Sequence, residues 1–322
     1  MTALRRHVIP VVTILFALAV GIALGGGPLS YASEDDTSSS EESEPDDVVP
    51  EASDEEPAPD EEPAPDEEPA PDDDAFADAF AAAAAPSLYD QALTGHPTAV
   101  VTFPGVDPEV LDDMVAQVTA AGGGLTGVFE VSEDAVDRDR TGDVDLATAE
   151  LMTELGDSRI DPTATTYSRL GQLLSVAVAT PDKSGQRPNI SSDTIRSSLT
   201  AAGLVAADPE ARLAPLVLVL LPESEDRGTE DALADEAIYT GLTTGLRANA
   251  AGVVVLGDSA SGDDGLLAGL REDPLVTSTL ATVDGGDTVL GQVTAMLAVI
   301  SSLDGSVGAY GASGSDGAVP IS

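Results

Sequence analysis

The chain has 322 residues and a formal net charge of -45, with 58 acidic side chains against 13 basic ones. This balance excludes a nucleic-acid-binding surface, which needs clustered Lys and Arg, and it disfavours contact with anionic lipid headgroups. Cysteine is absent, so disulfides, thiolate metal sites and cysteine nucleophiles are excluded as well.

The first 30 residues have the features of a cytoplasmic stub and a transmembrane anchor. Arg5 and Arg6 precede an apolar run over residues 8–24. Basic residues mark the cytoplasmic side of a membrane segment, so we expect a single-pass protein whose later residues are extracytoplasmic. A signal peptide cleaved after Ala32 is the other interpretation of the same residues.

The apolar run also contains a possible contact between membrane helices. Gly21 and Gly25 are separated by three residues, and small residues at this spacing let two helices approach closely. The pair indicates a homo-oligomer that forms through the anchor helices. Glycine is also simply common in such helices, so the contact stays one of two interpretations.

Residues 31–95 are expected to be a disordered, acidic, proline-rich tether. Residues 34–74 contain 21 acidic side chains and no basic one, and the hexapeptide Asp-Glu-Glu-Pro-Ala-Pro occurs three times over residues 54–71. Such a segment buries too little apolar surface to offset the entropy of ordering. Frequent proline blocks helix and sheet. The alanine-rich residues 75–85 are expected to form a helical turn or two before the folded part.

Residues 96–312 are expected to form an extracytoplasmic α/β domain, followed by a flexible tail over residues 313–322. Short apolar runs alternate with amphipathic stretches, which predicts an open, mostly parallel sheet of Rossmann-like or flavodoxin-like type. The run at 216–221 is apolar on both faces and should be central, whereas 279–283 should be an edge strand. Strands are predicted at 99–103, 125–131, 216–221, 253–256 and 279–283, and helices at 107–121, 146–155, 166–179, 192–202, 230–250, 266–270 and 288–303.

Acidic loops follow three of the predicted strands, at the edge where open parallel sheets bind their ligands. No glycine-rich phosphate-binding motif follows a strand, and carboxylates would repel phosphate. Carboxylates could bind a hard cation such as Ca²⁺, or they could simply add solubility to an acidic protein. The candidate metal ligands are Glu223, Asp226, Asp258, Asp263 and Asp264.

Histidine and soft metal ligands are sparse. His7 lies beside the predicted anchor, and His96 precedes the first strand with no recognised serine or aspartate motif to complete a catalytic triad. The methionines after the first residue, Met114, Met152 and Met296, are far apart in sequence. We therefore expect that the protein is not an enzyme, and no cofactor is evident from its sequence.

Three groups of segments, in chain order, resemble one known family. Residues 4–7 and 18–25 form the first group, and residues 100–105 with 120–123 form the second. The third is residues 293–303 followed by the terminal motif that contains Gly308, Tyr310 and Gly311. Together these segments resemble the MctB-type copper transporter family of actinobacteria.

The resemblance implies an uncleaved cell-envelope protein with a role in copper transport or copper homeostasis, and copper is implied by the resemblance alone. Some relatives are instead linked to cell-wall and septation control with a membrane partner. A non-catalytic envelope scaffold or regulator is therefore the alternative function. Two features depart from the family: the tether replaces a coiled-coil helix, and Ala309 stands where relatives have histidine, which removes a copper ligand.

Overall fold

The computed structural model of the protein describes residues 73–155, 160–224 and 229–320. The predicted stub, the anchor with Gly21 and Gly25, and the tether up to residue 72 lie outside these ranges. Within the ranges, every helix is too short or too polar to cross a bilayer.

One sheet organises the described part of the chain. Its seven strands are β1 (Thr98–Thr102), β2 (Leu125–Val131), β3 (Val205–Ala207), β4 (Leu216–Leu220), β5 (Gly252–Leu256), β6 (Ala281–Val283) and β7 (Gly308–Tyr310). They have the order β3-β2-β1-β4-β5-β6-β7, and all neighbours are parallel except β2 and β3, which are antiparallel. The protein is thus a mixed α/β fold with a mostly parallel sheet.

Helices connect the strands and cover both faces of the sheet. The helices of the described ranges are α1 (Asp73–Tyr89), α2 (Pro108–Ala120), α3 (Glu133–Val136), α4 (Thr141–Leu155), α5 (Thr166–Val178), α6 (Ile190–Ala201), α7 (Thr229–Leu246), α8 (Ser259–Asp263), α9 (Leu266–Glu272), α10 (Pro274–Thr279) and α11 (Val289–Ser302). A 3₁₀ turn, Arg138–Arg140, lies between α3 and α4.

The central strands are buried on both faces because they separate two apolar cores. Every residue of β1, β4 and β5 is buried. Side chains alternate along a strand, so Val219 faces one core, with α4 to α7, α9 and α10, and Leu218 faces the other, with α1, α2 and α11. The expectation that residues 216–221 form a central strand is confirmed.

The predicted edge strand at 279–283 is not an edge. It corresponds to β6, which pairs with β5 on one side and with β7 on the other. Neither β7 nor β3 was predicted from the sequence. Both have only three residues, and β-branched residues are absent from β7 and limited to Val205 in β3. Both short strands form by pairing with longer neighbours.

The folded unit begins well before the predicted boundary at residue 96. Helix α1 contacts α11, and the Leu290 amide donates a hydrogen bond to Asp78 across this contact. Tyr89 is 1% exposed and Leu93 is fully buried. Residues 73–95 therefore belong to the folded unit rather than to the tether. Alanines and Tyr89 give α1 a buried face, and Leu93, after the helix ends, is buried in the same core.

Helices α5 and α7 are in unusually close contact through glycine. A Cβ atom added at Gly171 would lie 2.3 Å from the Leu242 carbonyl oxygen, and one at Gly245 would lie 2.5 Å from the Ser168 carbonyl oxygen. Any side chain at these positions would push the two backbones apart. The spacing of α5 and α7 therefore depends on these glycines.

Candidate functional site

The strand order reverses between β1 and β4. The loops at the carboxyl ends of the strands border a concave surface there, which we call the mouth. Ligands of open α/β sheets bind at such a switch point. The loops that follow β1 and β4 are joined there, since the Glu223 amide donates to the Gly105 carbonyl oxygen at 3.0 Å. Two clefts open at this mouth, and Glu223 borders both of them.

The smaller cleft, of about 140 Å³, lies directly over the ends of β4 and β5. Its carboxylates are held by local hydrogen bonds. Asp107 caps α2 by accepting from the Glu109 amide at 2.8 Å, and Asp113 accepts from the buried Gln292 side chain at 3.2 Å. The cleft is lined by Val106, Asp107, Glu109, Val110, Asp113, Leu220, Leu221, Glu223, Leu256, Gly257, Asp258, Gly286, Asp287 and Gln292.

The larger cleft, of about 450 Å³, lies between the loop after β4, helix α7, and helices α8 and α9. Six acidic residues and the exposed Leu233 border it, so its field favours cations and repels phosphate. It is lined by Pro222, Glu223, Ser224, Ala232, Leu233, Asp235, Glu236, Asp263, Asp264, Gly265, Leu266, Ala268, Gly269 and Glu272.

The predicted metal ligands are distributed along this mouth. Asp258 caps α8 and accepts hydrogen bonds from Ser261 N at 2.7 Å and from the amide and hydroxyl of Ser224 at 2.8 and 2.9 Å. Asp263 and Asp264 are exposed at the end of α8, and Glu223 is exposed on the opposite loop. Asp226 lies outside the described residues. Within the described ranges, no three or more His, Asp or Glu side chains are grouped so as to hold a metal ion.

The residues after the terminal motif are hydrogen bonded to a buried carboxylate, Asp284, which was not among the predicted site residues. Asp284, directly after β6, is 2% exposed. It accepts hydrogen bonds from the amides of Ala312 at 2.7 Å and Ser313 at 3.0 Å, and from the Ser313 hydroxyl. Arg271 of α9 completes its surroundings with an ion pair at 3.0 Å. The sequence signal that could have identified it is an aspartate between a strand and two glycines.

The protonation of Asp284 follows from these contacts. Burial disfavours the charged carboxylate and would raise its pKa, but the hydrogen bonds from Ser313, Arg271 and Ala312 outweigh burial and lower the pKa of Asp284 below its ordinary value. Asp284 is therefore charged at neutral pH and keeps Arg271 neutralised.

The two motif glycines are required by the backbone. Gly308 has φ +152° and Gly311 has φ +110°. A Cβ at Gly311 would lie 2.0 Å from Asp284 Oδ1. Tyr310 is buried between them, and its hydroxyl donates to the Val307 carbonyl oxygen at 3.1 Å. Gly308 and Tyr310 of the terminal motif thus lie in β7, and Gly311 begins the turn that follows it over Asp284. Beyond this turn, the Asp316 amide donates to the Ala309 carbonyl oxygen at 2.9 Å. The flexible tail expected over residues 313–322 stays a prediction.

Soft metal donors are not brought to the mouth in the described part of the chain. Met114 and Met296 are fully buried in the apolar core. His96 lies before the amino end of β1, with Nδ1 at 2.8 Å from the Lys183 carbonyl oxygen. Among the described residues, the mouth offers carboxylate, hydroxyl, amide and backbone groups, which suit hard cations or cationic partners rather than copper(I).

One protein family matches the chain along almost its full length. The family is described as MctB, a copper transport outer membrane protein, and its model matches residues 1–321. No curated protein is significantly similar to the chain. Because the match extends over far more than half of the sequence, the chain belongs to the MctB family.

Proposed function

We propose that this MctB-family chain is a cell-envelope protein with a role in copper transport or copper homeostasis. The match of the family model to residues 1–321 is the observation that supports this role. We further propose that the N-terminal apolar run is an uncleaved, single-pass anchor with the α/β domain outside the cytoplasm. The basic start of the chain supports that orientation.

The proposed contribution of the α/β domain is to bind or hold a partner, without catalysis. Copper(I) prefers thiolate, thioether and imidazole ligands. The chain has no cysteine, and Met114 and Met296 are enclosed in the core. A single membrane helix cannot enclose an aqueous path either, because its sides face lipid. We therefore expect the domain to assist copper movement as part of a homo-oligomer or with a membrane-protein partner.

A deletion strain tests the proposed function. Cells that lack the gene should accumulate copper and become more sensitive to it, while zinc content stays unchanged as the control. Re-expression of the full chain should restore both, and re-expression of residues 31–322 with a cleavable export signal should not, because the domain would lose its membrane attachment.

Two other outcomes would contradict the proposal. Normal copper content together with cell chaining or altered sensitivity to wall-targeting antibiotics would favour the alternative function, a non-catalytic scaffold or regulator of cell wall and septation. Restoration by the unanchored domain would show that the anchor is not needed.

A further inference from the structure

The segment that follows β7, residues 311–316, contributes no side chain to either apolar core. We call it the C-terminal strap. Ala312, Ser313, Ser315 and Asp316 are exposed, and no side chain of the strap enters either apolar core. A segment without buried apolar contacts can open locally without disrupting the core. What holds the strap closed must therefore be its hydrogen bonds.

Those hydrogen bonds converge on one buried ion pair. Asp284 accepts from the Ala312 and Ser313 amides at 2.7 and 3.0 Å. Arg271 Nη1 donates to the Ser313 hydroxyl at 2.8 Å, and Arg271 Nη2 donates to the Tyr310 carbonyl oxygen at 2.8 Å. Hydrogen bonds to charged groups are about twice as strong as neutral ones. The buried pair is thus the fastening point of the strap.

Asp316, at the far end of the strap, forms a second pair of hydrogen bonds to the fold. The Ala309 amide donates to Asp316 Oδ2 at 2.8 Å, and the Asp316 amide donates back to the Ala309 carbonyl oxygen at 2.9 Å. The strap is therefore fixed at two points, at Ala312 and Ser313 and again at Asp316.

The strap contacts helix α8 directly. A Cβ atom at Gly262 would lie 2.6 Å from Ser313 Oγ and 2.5 Å from Asp284 Cβ. Gly262 immediately precedes Asp263 and Asp264, which line the larger cleft. The other partner, Arg271, belongs to α9, whose Leu266, Ala268, Gly269 and Glu272 line the same cleft, the last of these directly after Arg271.

We propose that the C-terminal strap is a conformational device that holds one wall of the larger cleft in place. While it is closed, Asp284, Arg271 and Ser313 lock α8 and α9 against the end of β6. When it opens, water replaces the strap at the ion pair, α8 loses the contact of Gly262 with the Ser313 side chain, and the cleft widens. Access to the acidic mouth is thereby linked to the C-terminus of the chain.

Hydrogen exchange on the full-length protein tests this device. Ser313→Ala and Asp316→Ala change exposed strap residues and leave the core intact. Together they should accelerate exchange about tenfold or more at the Ala312 and Ser313 amides and also at the Ser261 and Leu267 amides of the cleft wall. Exchange at Leu173 and Leu174 in α5 should not change. Ser315→Ala is the matched control, because the Ser315 hydroxyl makes no hydrogen bond to Asp284 or Arg271.

A distance measurement adds an independent test. The chain has no cysteine, so Leu233→Cys and Glu272→Cys place two spin labels specifically on opposite sides of the larger cleft. Release of the strap should lengthen or broaden the distance between the labels. An unchanged distance, or fast exchange in the strap with unchanged exchange at Ser261 and Leu267, would overturn the proposal.

Discussion

At the residue scale, Asp284 is a buried charged side chain that forms an ion pair with Arg271. It is 2% exposed and its partner Arg271 has a side chain that is 11% exposed. Removing one member of a buried ion pair leaves the other charge without compensation, which is more costly than removing both.

We expect Asp284→Asn to lower the free energy of unfolding by about 3–5 kcal/mol, because Arg271 would stay buried without a counter-ion. Urea unfolding followed by circular dichroism measures the loss. Asp182→Asn is the control, since Asp182 is exposed and an asparagine can still accept from the Ser184 amide at 2.9 Å. Equal stability of the two variants would contradict the buried ion pair.

The same residue predicts a dependence of stability on acid. The pKa of Asp284 is lower in the folded state than its ordinary value, so the unfolded chain binds a proton more readily. Stability from Asp284 is present at neutral pH and is lost as the pH falls below that ordinary value. The difference in unfolding free energy between wild type and Asp284→Asn should therefore shrink from pH 7 toward pH 3. A constant difference over that range would contradict the lowered pKa.

At the scale of elements, the close contact of α5 and α7 determines how that side of the sheet packs. Ser175 supports it with a buried hydrogen bond, in which its hydroxyl donates to the Leu246 carbonyl oxygen at 2.7 Å. Two backbones this close gain many weak contacts, and they tolerate no added volume.

Gly245→Ala should destabilise the protein by about 1–3 kcal/mol, because the new methyl group would lie 2.5 Å from the Ser168 carbonyl oxygen and the helices would have to separate. Thermal unfolding monitors the change. Gly142→Ala is the matched control in α4: nothing lies within 4 Å of its Cβ position, so replacing glycine there should be neutral or stabilise the helix by up to about 1 kcal/mol. The same sign for both variants would contradict steric contact as the cause.

Helix α1 was expected from its sequence to belong to the tether, but it packs on the folded domain. Its residues Ala81 and Ala85 pack in the core with Tyr89, whose hydroxyl donates to Gln117. Burial raises the pKa of Tyr89 to about 12, so this phenol stays protonated and keeps its hydrogen bond across the physiological range.

A fragment of residues 73–322 should be more stable than one of residues 96–322 by about 4 kcal/mol, because the shorter one loses the burial of Tyr89 and Leu93, each worth about 1.5–3 kcal/mol. Urea unfolding of the two fragments compares them directly. If both unfold at the same urea concentration, α1 does not belong to the cooperative unit.

At the scale of the whole molecule, the large negative net charge affects stability through repulsion between acidic side chains. A net charge of -45 opposes compaction by self-repulsion. Added salt screens such repulsion, since the Debye length falls from about 30 Å at 0.01 M to about 3 Å at 1 M.

We therefore expect the melting temperature of the full chain to rise as sodium chloride increases from 0.01 to 1 M. Differential scanning calorimetry measures it, and choline chloride at matched ionic strength distinguishes screening from binding of a particular cation. A rise with sodium alone would indicate a specific cation site, and a fall with both salts would contradict self-repulsion as the main effect.

The sequence by itself determined the alternation of strands and helices, the central place of residues 216–221 and the family of the chain. These depend on local apolar patterns and on ordered motifs, which each segment carries alone. Only the tertiary structure showed that β6 is internal, that α1 belongs to the fold and that Asp284 fastens the terminal motif. Each of these depends on a partner distant in sequence: Tyr310 for β6, Leu290 for α1 and Arg271 for Asp284. A three-residue strand such as β7 and a single aspartate are too short to show a periodic pattern of apolar residues. Their contacts could therefore be identified only in the folded chain.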